Sequence, residues 1–230
     1  MGQHVLPGNP PVPLILRRSA RARRISLRVS SLDGRVTLTL PSHLPDRAAL
    51  DFAAEKEDWL RGHLSARSDD IVPLPGNTLP VEGVQRVITS ATGRSVRLIE
   101  DRIEVPGAPD RVPARLAGYL RALARDQLAA ASDHYAAQLG LPYSRLTLRD
   151  TRSRWGSCTQ DGGLMYSWRL ILAAPEILQY VAAHEVAHLA EMNHSQAFWD
   201  VVQRLYGDYR APRAWLRRNG GDLHRYRFDG

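Results

Sequence analysis

The stretch His184-Glu185-Val186-Ala187-His188 carries the clearest chemistry in this sequence. On an α-helix, residues four apart differ by about 40° in direction and one turn of rise, so both imidazoles leave the same side and can reach one small ion. Zinc accepts neutral imidazoles, and a catalytic zinc takes three protein ligands and leaves a fourth position to water. Glu185 adjoins the first histidine and can take the proton of that water as the nucleophile forms. The expected cofactor is one zinc ion per chain, with Glu185 as the catalytic base. The competing reading is a pair of histidines hydrogen-bonded in a core, because H-E-x-x-H also occurs by chance.

A third ligand separates the two readings. His194 lies six residues after His188. On a continuous helix it would be rotated about 240° out of line, so it reaches the same ion only if the helix ends first. Met192-Asn193 is the expected break, since Asn tolerates the left-handed conformation that ends helices. Ser195 would then cap the next helix. Glu191, three residues after His188, competes for the role on an unbroken helix; His194 is preferred. Arg154, in the loop Ser153 to Cys158, is a candidate for the cleft, where it would stabilise a developing oxyanion. In the same loop Trp155 would anchor a turn and Gly156 would permit an unusual backbone angle. Cys158 is read as a small core residue rather than a ligand. Tyr206 and Tyr209 are weighed as hydroxyl donors to a transition state, while Phe198, Trp199, Val202 and Leu205 have the spacing of a core face behind the site.

The elements that must position these residues follow from periodicity. Residues 1–13, rich in Pro and Gly, read as a loose tail. Ile25, Leu27 and Val29 alternate with polar residues, as do Val36, Leu38 and Leu40, and Asp33-Gly34 between them predicts an antiparallel hairpin. A helix capped by Asp46 is expected to run to Leu64. The prolines at 73, 75 and 80 mark a connector, followed by short strands at 85–89, 95–99 and 102–105. A long helix is expected from Pro113 to Leu139, stopped by Gly140 and Pro142. Strands are expected at 145–149 and 164–172, then the histidine helix from Pro175, then helices at about 195–206 and 211–218. His4, His43, His63, His134 and His224 lack ligand spacing and are assigned to the surface.

The run from Arg154-Trp155-Gly156-Ser157-Cys158, through His184-Glu185-Val186-Ala187-His188, to Asn193-His194-Ser195-Gln196-Ala197-Phe198-Trp199 resembles the YgjP-like metallopeptidase-domain family, which is akin to the SprT-like and WLM zinc proteases. The resemblance covers nearly the whole chain and is densest over 145–218. It implies a zincin-type unit with three histidine ligands and a glutamate base, which fall on His184, His188, His194 and Glu185. It also makes the strand 164–172 the candidate edge on which an extended peptide would pair, with Tyr166 and Trp168 as substrate-binding residues; the alternative, at least as favoured for those two side chains, is an ordinary sheet strand with both aromatics in the core. The histidine spacing matches the metzincin pattern too, but Glu191 stands where that group has glycine.

With the resemblance, the expected fold is α+β: a flexible tail over 1–13, a β-rich domain with one helix over 14–110, and a zincin-like catalytic domain with the H-E-x-x-H helix over 111–230. The expected function is a zinc metallopeptidase acting on peptide or protein substrates. The alternatives are a zinc hydrolase of a non-peptide bond, such as a nucleotide phosphoanhydride, and a nucleic-acid-associated protein with a structural metal. Composition bounds these readings. A 43% hydrophobic fraction supports a real core, and no run of about 18 apolar residues suggests a membrane span. No secretory leader is read at the N-terminus, and the single cysteine, Cys158, excludes an internal disulfide, so a cytoplasmic setting is expected. The net charge of +7 comes almost wholly from arginine. Arg17, Arg18, Arg21, Arg23 and Arg24 near the first strand are read as solvated charges, with nucleic-acid or phosphate contact as the alternative.

Overall fold

The computed structural model describes residues 4–30, 34–65 and 69–228. The chain divides into two compact units, residues 1–69 and 70–230. In the first, strands β1 (His4–Leu6), β2 (Val12–Ser19), β3 (Ser26–Val29) and β4 (Val36–Pro41) form a sheet in the order β1-β2-β4-β3. The expected hairpin is β3–β4, with Leu27 opposite Leu38 and Val29 opposite Val36; residue 33 of its Asp-Gly turn lies outside the described residues. The expected loose tail is a correction. Leu6, Val12 and Leu14 are buried, because β1 and β2 pair with each other and β2 runs parallel to β4. Pro and Gly content concealed this: Pro13 sits within β2 with its side chain exposed, while alternate positions carry the apolar residues inward.

The helix expected from Asp46 to Leu64 is two helices, α1 (Asp46–Glu55) and α2 (Glu57–Ser65), broken at Lys56. Asp46 lies inside the first turn, after Pro45 at the cap position, and accepts a 2.6 Å hydrogen bond from Arg18. Arg18 also donates to the carbonyls of Ser42 and Leu44. This arginine of the basic cluster is therefore engaged in holding the segment between β4 and α1.

The second unit begins with a sheet of β5 (Thr78–Val81), β6 (Val84–Ala91), β7 (Arg97–Ile99) and β8 (Arg102–Pro106), ordered β5-β6-β8-β7. The β5–β6 turn uses positive φ at Glu82 and Gly83. A side chain at Gly83 would meet the Ala174 backbone at 2.8 Å, so the hairpin tip fits against the residue that precedes the histidine helix. Helix α3 (Val112–Leu139) follows and ends, as expected, at Gly140 with φ 75°. Its buried residues Leu116, Leu120, Ala124, Leu128 and Ser132 recur every turn. Leu79, Val81, Ile88, Ile103 and Val105 of the sheet join this stripe in one continuous core. That shared core moves the boundary expected after residue 110 to residues 69/70. It also makes the proline-rich connector part of the unit: Ile71 exchanges backbone hydrogen bonds with the segment 225–227.

A three-stranded sheet of β9 (Arg145–Arg149), β10 (Gly156–Cys158) and β11 (Gly163–Ser167) has the order β10-β11-β9. The strand expected over 164–172 is therefore a second correction. It stops at Ser167, and Trp168–Leu172 is a 3-10 helix buried along its whole length. Alternation cannot distinguish the two when every position is apolar or buried. Then come α4 (Pro175–Ala187), α5 (Gln196–Tyr206) and α6 (Arg210–Asn219), and a 3-10 turn over Gly220–His224. No helix among the described residues is long and apolar enough to cross a membrane.

Buried Arg169 ties the end of this unit to the small sheet. Its guanidinium is bidentate to Asp150, at 2.6 and 3.0 Å, and donates to the carbonyls of Leu223 and Tyr226. His224, assigned to the surface by spacing alone, is buried beside this group and lies 5.2 Å from the Trp155 ring. Burial, with Arg169 nearby, lowers its pKa from 6.5 to about 4. The folded protein thus resists a proton that the unfolded chain accepts, so this contribution is complete above pH 6.5 and is lost as pH falls toward 4. Urea titrations from pH 7 to 4 are expected to show wild type losing about 3 kcal/mol more stability than His224→Asn over this range.

Candidate metal centre

Helix α4 is buried on every side, through Ile177, Leu178, Val181, Ala182, Ala183, Val186 and Ala187. The small residues let α3 pack closely on it, and the helix therefore holds His184 and His188 on a fixed frame. The helix ends earlier than expected. His188 is its C-terminal cap, and Leu189 and Ala190 bond back to Val186 and Ala187, three residues earlier. Leu189 to Met192 have good helix propensity, which explains why the sequence placed the break at Met192-Asn193. Asn193 does not take the left-handed conformation. Its side-chain oxygen instead accepts from the Ser195 N–H at 3.0 Å, and Ser195 occupies the cap position of α5 without a side-chain cap bond.

This turn brings the third histidine back. One ring nitrogen from each of His184, His188 and His194 lies within 4.8 Å of the others. Nε2 of His184 and Nε2 of His194 are 3.1 Å apart. Nδ1 of His188 donates to the Glu191 carbonyl at 2.9 Å, which leaves Nε2 of a neutral ring with its lone pair available. Glu191 thus contributes through its backbone, and its carboxylate is outside the cluster. Phe198, one turn into α5, packs against all three imidazoles, with ring centroids 4.9, 4.4 and 4.7 Å away. Two of the rings are held neutral. Burial, then the neighbouring histidines, lowers the His184 pKa to about 3; burial lowers that of His188.

The donor set fits a small divalent cation. Three neutral imidazoles are one of the known ligand sets, and a metal about 2.1 Å from each nitrogen would hold them about 3.4 Å apart in tetrahedral geometry. Nδ1 of His184 is buried with no hydrogen-bond partner among the described residues. The ring nitrogen of His184 that faces the cluster is Nε2, where the other histidines converge.

Glu185 is 5% exposed and faces the same cavity of about 420 Å³, lined also by Ser153, Arg154, Cys158 and Met192. Burial raises its pKa to about 8, opposed by Arg154; a cation on the imidazoles would oppose it further. Gly156 makes room for this carboxylate. A Cβ there would stand 2.5 Å from Cγ and 2.6 Å from Oε1 of Glu185. The glycine is needed for close approach, and its φ is not left-handed, which corrects the expectation of an unusual backbone angle. An isolated glycine in a strand was the available signal.

The other expected site residues divide. Arg154 lines the cavity and is exposed. Tyr166 and Trp168 are 0% and 1% exposed; Tyr166 shares a 3.0 Å hydrogen bond with Ser132 of α3, and Trp168 lies under Arg121 and Arg169. Neither side chain has a surface to offer a substrate. β11 is also the central strand of its sheet; the edge that lines the cavity is β10. Cys158 lines the cavity, but burial raises its thiol to about 11, and the thiol donates to the Thr159 carbonyl. The Tyr206 hydroxyl donates to the backbone carbonyl of Glu176, and Tyr209 stacks on Trp199 at 4.9 Å. Arg213 over Trp199 continues that stack beside His194.

The class this site defines is that of a metallopeptidase domain. The chain belongs to the YgjP-like family, metallopeptidase domain, which it matches over residues 23–219. No curated protein matches the chain. Among solved structures, the metallopeptidase zymogen of Pyrococcus abyssi abylysin is similar at 21% identity and a TM-score of 0.36, over 40% of this chain and 92% of its own.

Gly156→Ala is expected to leave the protein folded and its metal stoichiometry unchanged, since the three atoms nearest the added methyl all belong to the Glu185 side chain. A crystal structure of the variant should show the carboxylate displaced, and a Glu185 in its present position would refute the close-approach argument.

Proposed function

We propose that this protein is a zinc-dependent metallopeptidase in which His184, His188 and His194 hold the ion and Glu185 is the catalytic base. The observation that carries the reading is the convergence of three imidazoles beside the buried Glu185 side chain in one cavity. Zinc suits three nitrogen ligands with one open position, and when bound it supplies the Lewis acidity that polarises a carbonyl and acidifies a water. The fold is then read as zincin-like.

The chain's own residues do the rest. The carboxylate of Glu185, pressed against Gly156 with no room to swing toward the strand, accepts the proton of the attacking water and delivers it to the leaving amine. Arg154 presents a guanidinium to the same cavity, where it stabilises negative charge developing on the carbonyl oxygen. The β10 edge offers backbone groups to an extended peptide, which would lie across the histidines as an added strand. Phe198 excludes water from the inner side of the imidazoles and holds their orientation.

Metal analysis of the purified chain is expected to give one zinc per molecule, lost in His184→Ala, His188→Ala and His194→Ala and retained in Glu191→Ala. Retention in His194→Ala with loss in Glu191→Ala would overturn the ligand assignment.

Glu185→Gln is expected to keep the ion and to lower peptide hydrolysis by about a hundredfold or more. Mass-spectrometric screening of unstructured protein substrates with the zinc-loaded chain measures this. Hydrolysis of nucleoside triphosphates without cleavage of any peptide would sink the peptidase reading.

A further inference from the structure

A second cavity, of about 390 Å³, adjoins the one that holds the histidines and shares Ser153, Arg154 and Ser157 with it. It is built on the outer face of the small sheet. Side chains alternate across a strand, and the register places Arg145, Thr147 and Arg149 of β9 on the same face as Met165 of β11 and Ser157 of β10. Leu164 and Tyr166 occupy the opposite, buried face. The outer face therefore carries three guanidinium groups around a concavity. Arg145 is already paired with Asp161 at 2.6 Å. Arg149 is exposed, and its side chain has no hydrogen-bond or ion-pair partner among the described residues. Arg154 stands where the two cavities meet.

We propose that this arginine-lined pocket is a subsite for an acidic side chain of the peptide substrate, so that cleavage falls close to an aspartate or glutamate. The inference rests on the metallopeptidase reading of the adjoining site. A peptide paired on the free edge of β10 continues the sheet, and every second side chain along it lies on the face that bears Ser157. A long acidic side chain there enters the cavity that Ser157 shares with Arg149, which reaches into it from β9, two strands beyond β10, and a guanidinium fork is suited to a carboxylate. The guanidinium left over for a substrate side chain, that of Arg149, stands in a recess adjoining the catalytic cavity, rather than in a stripe that would track a phosphate backbone. The net charge of +7 draws acidic segments toward the molecule in the same sense.

The test measures binding apart from cleavage. The zinc-loaded full chain carrying Glu185→Gln is titrated into fluorescently labelled ten-residue peptides in which one glutamate is walked along the sequence, with glutamine and lysine counterparts. At the productive position the glutamate peptide is expected to bind about tenfold tighter than its glutamine counterpart, and added salt is expected to narrow the gap. Adding Arg149→Gln should abolish the preference while leaving the glutamine peptide's affinity unchanged. Arg149→Glu should turn the preference toward lysine. Equal affinity for glutamate and glutamine peptides, no measurable binding of any peptide, or a preference that survives Arg149→Gln would overturn the proposal. So would Arg149-dependent binding of a single-stranded oligonucleotide without acid-selective peptide binding. The parent chain then reports on the underlying reading: acid-selective binding without cleavage defeats the peptidase assignment and leaves the pocket standing, whereas cleavage without acid preference does the reverse.

Discussion

Three imidazoles directed at one point are an arrangement that side chains do not adopt without support, because their lone pairs gain nothing from facing each other. Here Nε2 of His184 and Nε2 of His194 are 3.1 Å apart, and the third ring completes a cluster within 4.8 Å. Each ring is restrained by something other than the cluster. His184 and His188 are fixed to a helix buried all round. His188 is locked by the Glu191 carbonyl, the kind of outer hydrogen bond that selects a ligating tautomer. Phe198 lies against all three rings, so rotation of any one would cost contact with it. Burial disfavours the protonated forms of His184 and His188, and the neutral form is the one that binds a metal.

The carboxylate is restrained by the same means. Glu185 sits between α4 and the edge strand β10, in a space that exists because residue 156 has no side chain. The position of β10 depends in turn on the loop before it. Asp150, at the loop's start, is held by Arg169, and Trp155, near its end, packs against His224 and Gly220. The C-terminal turn therefore braces the loop that carries Arg154, although it lies far from it in sequence. The β5–β6 hairpin braces the other end of α4, where Gly83 fits against Ala174.

What could be read from the sequence alone was local chemistry. The four-residue spacing of His184 and His188 on a helix begun by Pro175, the need for a helix end before His194, the long helix stopped by Gly140 and the β3–β4 hairpin all rest on period, caps and turn residues, which act over a few positions. Even the mistaken break at Asn193 came from correct propensities, since Leu189 to Met192 would extend a helix if nothing else acted on them.

Tertiary structure decided whatever depended on partners distant in the chain. It made strands of the Pro-rich N-terminal segment by pairing β2 with β4, and it joined the β5–β8 sheet to the core of α3. It also buried Tyr166 and Trp168, which the sequence left free to meet a substrate, and gave the cavity edge to β10. The physical reason is common to all of these. Propensity and periodicity specify an element's type and which of its faces is apolar, but burial and the closing of a site depend on which other face arrives opposite, and that is fixed by packing across the whole unit.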